Sequence, residues 1–140
     1  LAYGRVTPEP PVADLAATRL AVVTSGGLVP LGNPDRLPSG FAEQFFRYAI
    51  ADRPALAVGE WESIHGGYST RAVNSRNPNF VVPLDVLREL EAERAIGSLY
   101  PSYFVTVGNG TAVGDARRMG AQIAEELLQQ DVGAALFVAT

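Results

Sequence analysis

The 140-residue chain contains no cysteine and only one histidine. Without cysteine, neither a disulfide framework nor a thiolate metal site can form within these residues, so any thiol chemistry must come from another stretch of polypeptide. No apolar run approaches the roughly 20 residues of a membrane-spanning helix. The first residues show no secretory pattern, and we therefore expect a cytoplasmic location.

Basic clusters are also missing, and the net charge is −4. This balance argues against nucleic acid or an anionic membrane surface as a partner. The 47% hydrophobic and 19% charged content is typical of a globular domain with a core of its own. Because the chain starts with Leu1 and not with Met, we expect an internal piece of a longer polypeptide.

Residues 1–18 contain Pro8, Pro10 and Pro11 and precede the first apolar run. Such a proline-rich stretch is typical of an extended linker, and we expect it to follow a preceding domain. Residues 19–140 are then predicted to be one α/β domain that is incomplete at its C-terminal end.

The apolar patterns predict alternating strands and helices. Buried strands are expected at 20–23, 103–107 and 134–138. Amphipathic helices are expected at 83–95 and from about 112 to the glycine at 133. An irregular loop is expected at 28–40. Residues 41–50 fit either a helix or a strand. The predicted fold is an open, mostly parallel sheet with flanking helices, Rossmann-like or flavodoxin-like, within a larger two-domain subunit, and its last two strands form a right-handed βαβ unit.

Ligands of parallel sheets gather beyond the carboxyl ends of the strands. Two glycine turns follow predicted strands here, and we expect substrate binding by Ser25, Gly26 and Gly27 and by Gly108, Asn109, Gly110 and Thr111. The second turn would offer backbone N–H groups at a helix start to a carboxylate or an oxyanion. A purely structural turn with Thr111 as the helix N-cap is the alternative. The glycine spacing matches neither a dinucleotide fingerprint nor a phosphate loop.

His65 is the one side chain suited to proton transfer near neutral pH. If its segment were helical, Glu62 would share its face and form a carboxylate–imidazole pair or half of a metal site. Gly66, Gly67 and Tyr68 follow and would let the backbone approach a ligand. A structural histidine is the alternative. Asn33 lies in the Asn33-Pro34-Asp35 turn beside the first glycine turn and is a further predicted substrate-binding residue. Ordinary turn chemistry is the alternative explanation for it.

Several of these strings resemble the selenoprotein B family of glycine, sarcosine and betaine reductases, which is related to D-proline reductase. Four motifs occur in the same order over nearly all of residues 20–140. They are VVTSGGLVP at 22–30 with GNPD at 32–35, HGGY at 65–68, VPLDVLREL at 82–90, and TVGNGTA at 106–112.

The resemblance implies reductive cleavage of a C–N bond in a small amine or amino-acid derivative. A selenocysteine or cysteine directly downstream would attack the α-carbon, with a dithiol or partner protein resolving the adduct. The glycine turns would surround the substrate carboxylate, and His65, with Glu62, would be the acid for the departing amine. The end at Thr140 is explained either by a chain boundary or by self-cleavage that leaves a pyruvoyl group on a downstream chain.

The expected partners are the downstream chain with the redox residue and a small-molecule substrate, in a hetero- and homo-oligomer. No cofactor is expected in this chain beyond a pyruvoyl group, cysteine or selenocysteine on the downstream one. Two alternatives stay open: a metal-dependent offshoot acting through Glu62, His65 and Asp35, and a scaffold subunit without catalysis.

Overall fold

The computed structural model describes residues 7–140, and it contains six strands and three α-helices. The strands are β1 (Arg19–Thr24), β2 (Leu28–Pro30), β3 (Phe46–Ala49), β4 (Trp61–Ser63), β5 (Ser98–Val105) and β6 (Ala134–Val138). The helices are α1 (Arg71–Ser75), α2 (Leu84–Ala92) and α3 (Val113–Gln129), with single 3₁₀ turns at Leu15–Ala17 and Pro78–Phe80. None of the helices among the described residues combines the length and the apolar character that crossing a bilayer requires.

The main sheet has four strands in the order β3-β5-β1-β6. Strand β1 pairs in parallel with both β5 and β6, so that Val23 lies between Phe104 and Phe137. Strand β3 runs antiparallel to β5 at the edge. The α/β class and the parallel β5-α3-β6 unit are therefore confirmed, and the sheet is mixed.

Alternating side chains of β1 place a core on each face of this sheet. Leu20 and Val22 face α2 and the β2–β4 pair, within the larger apolar cluster. Ala21 and Val23 face α3, which contributes Ile123, Leu127 and, close to them, the buried Met119. Two faces covered by different elements explain why β1 is apolar at four successive positions, residues 20–23.

The small antiparallel sheet of β2 and β4 differs from the irregular loop predicted for residues 28–40. Each strand has three residues, which is too short for a periodic pattern to be visible in the sequence. Pro30 ends β2, where it has no N–H to give to a ladder. The prediction of an irregular loop was therefore wrong for its first three residues.

Strand β5 begins at Ser98, five residues before the predicted start at 103. Its register against β1 shifts between Leu20, which pairs with Leu99, and Val22, which pairs with Tyr103. Pro101 lies in the extra stretch, and its carbonyl accepts a hydrogen bond from Ile50 N. A bulge of this kind admits proline inside a strand, so the sequence alone does not reveal the continuation.

The predicted helix at 83–95 is confirmed as α2, which starts after Pro83. It ends earlier than expected, and Arg94 adopts a left-handed conformation at φ 59°. Of the predicted linker, residues 1–6 lie outside the described residues. Residues 7–14 have no regular structure, while the 3₁₀ turn that follows holds Gly97 through hydrogen bonds from Gly97 N to Leu15 O and Thr18 O.

Strand β6 is apolar on both faces, yet much of it is exposed. Phe137 is 60% exposed on the α3 face, and Leu136 is 36% exposed on the other face. Beside Phe137, a mainly apolar cleft of about 390 Å³ lies between α3 and the ends of β1 and β6, and Met119 and Leu127 line it.

Candidate functional site

The two glycine turns meet at the carboxyl ends of β1 and β5. Gly27 N donates to Thr106 O at 3.0 Å, and Gly108 N donates to Ser25 O at 3.0 Å. Parallel strands end at the same edge of a sheet, so the turns that follow them become neighbours. Thr140 N also donates to Ser25 Oγ, at 3.3 Å.

Gly26 and Gly27 are buried at the centre of this arrangement. Gly27 has φ +61°, and a Cβ atom there would lie 2.9 Å from Val107 Cγ2 and 3.3 Å from His65 N. A side chain would therefore be both strained and crowded. These two glycines allow the close approach of the chain segments, and Ser25, which directly precedes them, is 8% exposed.

A hydroxyl network joins β4 to the first turn. Ser63 Oγ donates to Gly26 O at 2.7 Å and lies 2.9 Å from Tyr68 Oη. The Asn74 side chain bonds both backbone groups of Ser63. Its Oδ1 accepts from Ser63 N at 2.7 Å, and its Nδ2 donates to Ser63 O at 3.0 Å. Sequence reasoning missed both Ser63 and Asn74, because single polar residues carry no pattern.

His65 is only 6% exposed, and its tautomer follows from one hydrogen bond. Gly67 N donates to His65 Nδ1 at 2.9 Å, so Nδ1 is unprotonated and the ring proton resides on Nε2. Nε2 has no hydrogen-bond partner among the described residues. Burial lowers the pKa of His65 below its ordinary value, and the Tyr68 ring packs at 4.8 Å between centroids.

Glu62 is not part of a pair with His65. Its segment is strand β4 and not a helix, so alternate residues point to opposite faces, and Glu62 Oε1 accepts from Gly32 N at 2.8 Å. The helical condition on which the predicted carboxylate–imidazole pair depended is therefore not met.

Asn33 is engaged in its own turn. Its Nδ2 donates to Leu37 O at 2.8 Å, its Oδ1 accepts from Leu37 N at 3.0 Å, and its backbone is left-handed at φ 45°. Asp35 Oδ2 accepts from Tyr48 Oη at 2.9 Å. Within residues 7–140 no three acidic or histidine side chains gather as metal ligands would, so the metal alternative lacks a ligand cluster there.

Asn109 lies over a patch of glycine backbone. A Cβ atom on Gly40 would meet Asn109 Nδ2 at 2.9 Å, one on Gly66 would meet it at 3.3 Å, and one on Gly67 would meet Asn109 Oδ1 at 3.2 Å. The absence of side chains at all three positions lets the amide approach the His65 loop. The structure thus brings Asn109 together with the His65-Gly66-Gly67 segment.

The segment Ser39-Gly40-Phe41 forms the rim of this site, and sequence reasoning missed it. Phe41 N donates to Asn109 O at 2.7 Å, and Gly66 N donates to Ser39 O at 2.8 Å. Phe41 has a left-handed backbone at φ 54° and is 76% exposed, with its ring against Gly110. A bulky residue held in this conformation at a rim is a recurrent feature of functional sites.

Thr111 does not cap α3, which corrects the structural alternative for this residue. Its Oγ1 donates to Val107 O at 2.6 Å and accepts from Ala42 N at 3.1 Å, while the N-cap position is Ala112 without a side-chain hydrogen bond. Thr111 therefore ties the second turn to the rim. The first turn of α3 begins directly behind it.

A family model for the glycine/sarcosine/betaine reductase selenoprotein B family matches residues 2–140. The chain belongs to this family. The resemblance inferred from the four sequence motifs is confirmed, whereas the relation to D-proline reductase stays a prediction. No solved structure matches the chain.

Curated relatives of this reductase family carry the names of three complexes. The chain is 45% identical to the glycine reductase complex component B subunit gamma of Carboxydothermus hydrogenoformans over 99% of its own length and 32% of the relative's. It is 42% identical to the sarcosine reductase complex component B subunit beta of Peptoclostridium acidaminophilum, over 99% of the chain and 31% of the relative. The betaine reductase complex component B subunit beta of the same organism is 38% identical, over 97% and 31%. The chain thus spans about a third of these relatives.

The uncharged state of His65 predicts a pH dependence for this selenoprotein B family chain. Because burial lowers the pKa of His65 in the fold, the unfolded state takes up a proton from about pH 6.5 downward, at a higher pH than the folded state does. We expect the free energy of unfolding to decrease as the pH falls from 7.5 to 5.5. Urea titrations at both values should show a smaller decrease in His65→Gln, and equal slopes in the two proteins would contradict the assignment.

Proposed function

We propose that the chain provides the substrate-binding part of a component B-type subunit that reductively cleaves the C–N bond of a small amino-acid derivative. The observation that carries this proposal is the meeting of the Ser25-Gly26-Gly27 turn, the Gly108–Thr111 turn and the His65 loop at one edge of the sheet. Membership of the reductase family supports the reaction class. The names of the relatives indicate glycine, sarcosine or betaine as substrate.

The nucleophile of this reaction must lie outside these residues, since the chain has no cysteine. A thiolate or selenolate would displace the amine from the α-carbon, so that a C–S or C–Se bond forms as the C–N bond breaks. A dithiol would then reduce this adduct, becoming a disulfide while the carbon takes a proton and is released as acetate. A nucleophile of this kind needs a lowered pKa, which the start of α3 beside Thr111 would favour.

The exposed apolar surface of β6 supports a role within a larger assembly. Parallel strands with apolar residues on both faces are normally covered on both, whereas Phe137 is 60% exposed and Leu136 is 36% exposed in the described part of the chain. The relatives are about three times as long and are named as complex components. We propose that further polypeptide, carrying the redox residue, packs beside β6 and the adjoining cleft.

The test is amine release by the complete native protein with its co-purifying partners. Given a dithiol reductant, we expect one of the three substrates to yield its own amine, namely ammonia from glycine, methylamine from sarcosine or trimethylamine from betaine, together with an equal amount of acetate. Prior alkylation of thiols and selenols is the control, and it should abolish the release. A folded, assembled protein that releases no amine from any of the three would contradict the proposal.

A further inference from the structure

Strand β6 forms one edge of the main sheet, and its outer side has no partner strand among residues 7–140. Val138 O accepts a hydrogen bond from Ser25 N, directly after β1. Alternate residues of a paired strand direct their backbone groups to the same side, so those of Leu136 and Val138 face β1. The N–H and C=O groups of Ala135 and Phe137 therefore point to the open side, where they form a template for another strand.

The opposite edge of the sheet is protected, whereas the β6 edge is not. Strand β3 carries Arg47, which forms an ion pair with Glu126 of α3. Charged residues, prolines and bulges are the usual protection of an edge that faces solvent. Residues 134–138 are all apolar, and their register against β1 is regular. An edge of this composition indicates that β6 is covered in the complete protein.

Helix α3 presents more apolar surface beside this edge than the sheet covers. One row of its side chains is buried against the sheet, namely Met119, Ile123 and Leu127. A second row, at a spacing of four residues, is exposed and consists of Ala116, Gly120, Ala124 and Leu128. The first three residues of this second row line the 390 Å³ cleft together with Phe137. Rows with this spacing are the ridges through which one helix packs on another, so the cleft is shaped for a helix.

The hydroxyl groups that line the cleft are engaged within the protein. Thr106 Oγ1 donates to Gln44 O at 3.1 Å, and Thr111 Oγ1 donates to Val107 O at 2.6 Å. Ser25 Oγ accepts a backbone N–H at 3.3 Å. A site for a small polar molecule presents convergent polar groups that are free to bind it. The cleft therefore favours apolar side chains of a polypeptide over an amino-acid ligand.

The topology indicates on which face of the sheet a further segment would lie. A connection between parallel strands of one sheet is right-handed in about 98% of cases. The β5-α3-β6 unit crosses the sheet toward β6 with its helix on the α3 face, and the connection from β1 to β5 runs the other way with α2 on the opposite face. A connection that continues outward from β6 would therefore place its helix on the α3 face. The cleft and the exposed ring of Phe137 lie on this same face.

We propose that polypeptide following β6 forms a helix that packs on α3 and Phe137 and fills the cleft, and then a strand that pairs in parallel with the open edge of β6. This inference rests on the proposed function in assigning further polypeptide to this edge. The length of the relatives supports it, since the chain spans about a third of them. A second copy paired through β6 about a two-fold axis would run antiparallel, and it would set a second open cleft beside the first instead of filling it.

Hydrogen exchange of the complete native protein, resolved to single amides by fragmentation in the mass spectrometer, tests the added strand. The amides of Leu136 and Val138 face β1 and are the internal reference. We expect the amides of Ala135 and Phe137 to exchange within about tenfold of the reference rates, because they too are bonded to a strand. A larger difference would show an open edge and overturn the inference. Protection that is lost when an oligomer dissociates on dilution would assign the edge to a second copy and would also overturn it.

Two glycines of α3 provide a matched test of the added helix. A Cβ atom on Gly114 or on Gly120 would meet nothing within 4 Å in the described structure, and only Gly120 lines the cleft. In the complete protein, we expect Gly120→Leu to lower the thermal unfolding midpoint by about 2–8 °C, because its side chain would meet the packed helix. Gly114→Leu should leave the midpoint unchanged or raise it, since leucine favours an exposed helix over glycine. A midpoint that Gly120→Leu leaves unchanged or raises would show that the cleft is open and refute the helix.

The two proposals fail in different ways. A protected β6 edge in a protein that releases no amine would leave the added helix and strand standing and refute the reductase function. Amine release by a protein whose Ala135 and Phe137 amides exchange freely would support the reductase function and refute the added strand.

Discussion

Asn74→Ala is expected to lower the free energy of unfolding by about 2–5 kcal/mol, because it leaves two buried backbone groups without partners. The Asn74 side chain pairs with both the N–H and the C=O of Ser63, in the manner of a neighbouring strand. Ser63 is 2% exposed, so in the native protein its backbone groups are shielded from water and depend on Asn74 for these bonds. Urea unfolding followed by circular dichroism measures the loss.

The same substitution should also loosen the His65 loop. Ser63 Oγ bonds the Gly26 carbonyl, and His65 N donates weakly to Ser63 Oγ at 3.4 Å. Hydrogen exchange of the Gly67 amide, which is bonded to His65 Nδ1, should therefore become faster. Ser75→Ala is the matched control on the same helix, since its exposed hydroxyl bonds only Arg71 O and its removal should change stability by less than about 0.5 kcal/mol. Similar losses in the two variants would show that the Asn74 bonds do not hold β4.

Phe104→Ala is expected to lower the free energy of unfolding by about 3–5 kcal/mol, the usual range for a fully buried phenylalanine. Phe104 is 0% exposed at the centre of the sheet face that α3 covers. Its ring lies 5.9 Å from that of Phe45 and 5.8 Å from that of Tyr100, between centroids. Thermal or urea unfolding measures the effect.

Two controls distinguish destabilisation by a cavity in the core from destabilisation by the loss of any aromatic ring. Phe104→Leu keeps most of the volume and should be less destabilising, while Phe80→Ala removes a ring that is 61% exposed and should have a small effect. If Phe80→Ala were as destabilising as Phe104→Ala, the assignment of the α3-facing core would be wrong. Loss of this core would also free α3, whose N-cap residue Ala112 directly follows Thr111.

The parts of the fold that the sequence predicts are those with a repeating apolar pattern. Strand β1, helix α2, helix α3 and strand β6 all carry such patterns, and each was expected within a few residues of its observed position. Strands β2 and β4 carry none, because three residues are too few for a period to emerge. The bulge at Pro101 hid the first half of β5 for a related reason, since proline normally ends a strand.

The candidate site also has features that the sequence predicts and features that it does not. The glycine turns at 25–27 and 108–111 were expected at the carboxyl edge, because parallel strands bring their ends together. The expected Glu62–His65 pair assumed a helical spacing, and the extended backbone of β4 separates the two side chains instead. Turn chemistry is the alternative to substrate binding for Asn33, and its two hydrogen bonds to Leu37 agree with turn chemistry, while substrate binding by Asn33 stays a prediction.

The sequence by itself determined the α/β class, the membership of a reductase family and the absence of a thiol from these residues, because composition, periodicity and ordered motifs are properties of the linear chain. Only the tertiary structure decided which groups are left unpaired. The missing partner of His65 Nε2, the two hydrogen bonds between Asn74 and the backbone of Ser63, and the packing of Asn109 against Gly40, Gly66 and Gly67 are properties of the folded chain. Such contacts follow from packing, in which any one residue has many possible neighbours and a pattern in the sequence selects none of them.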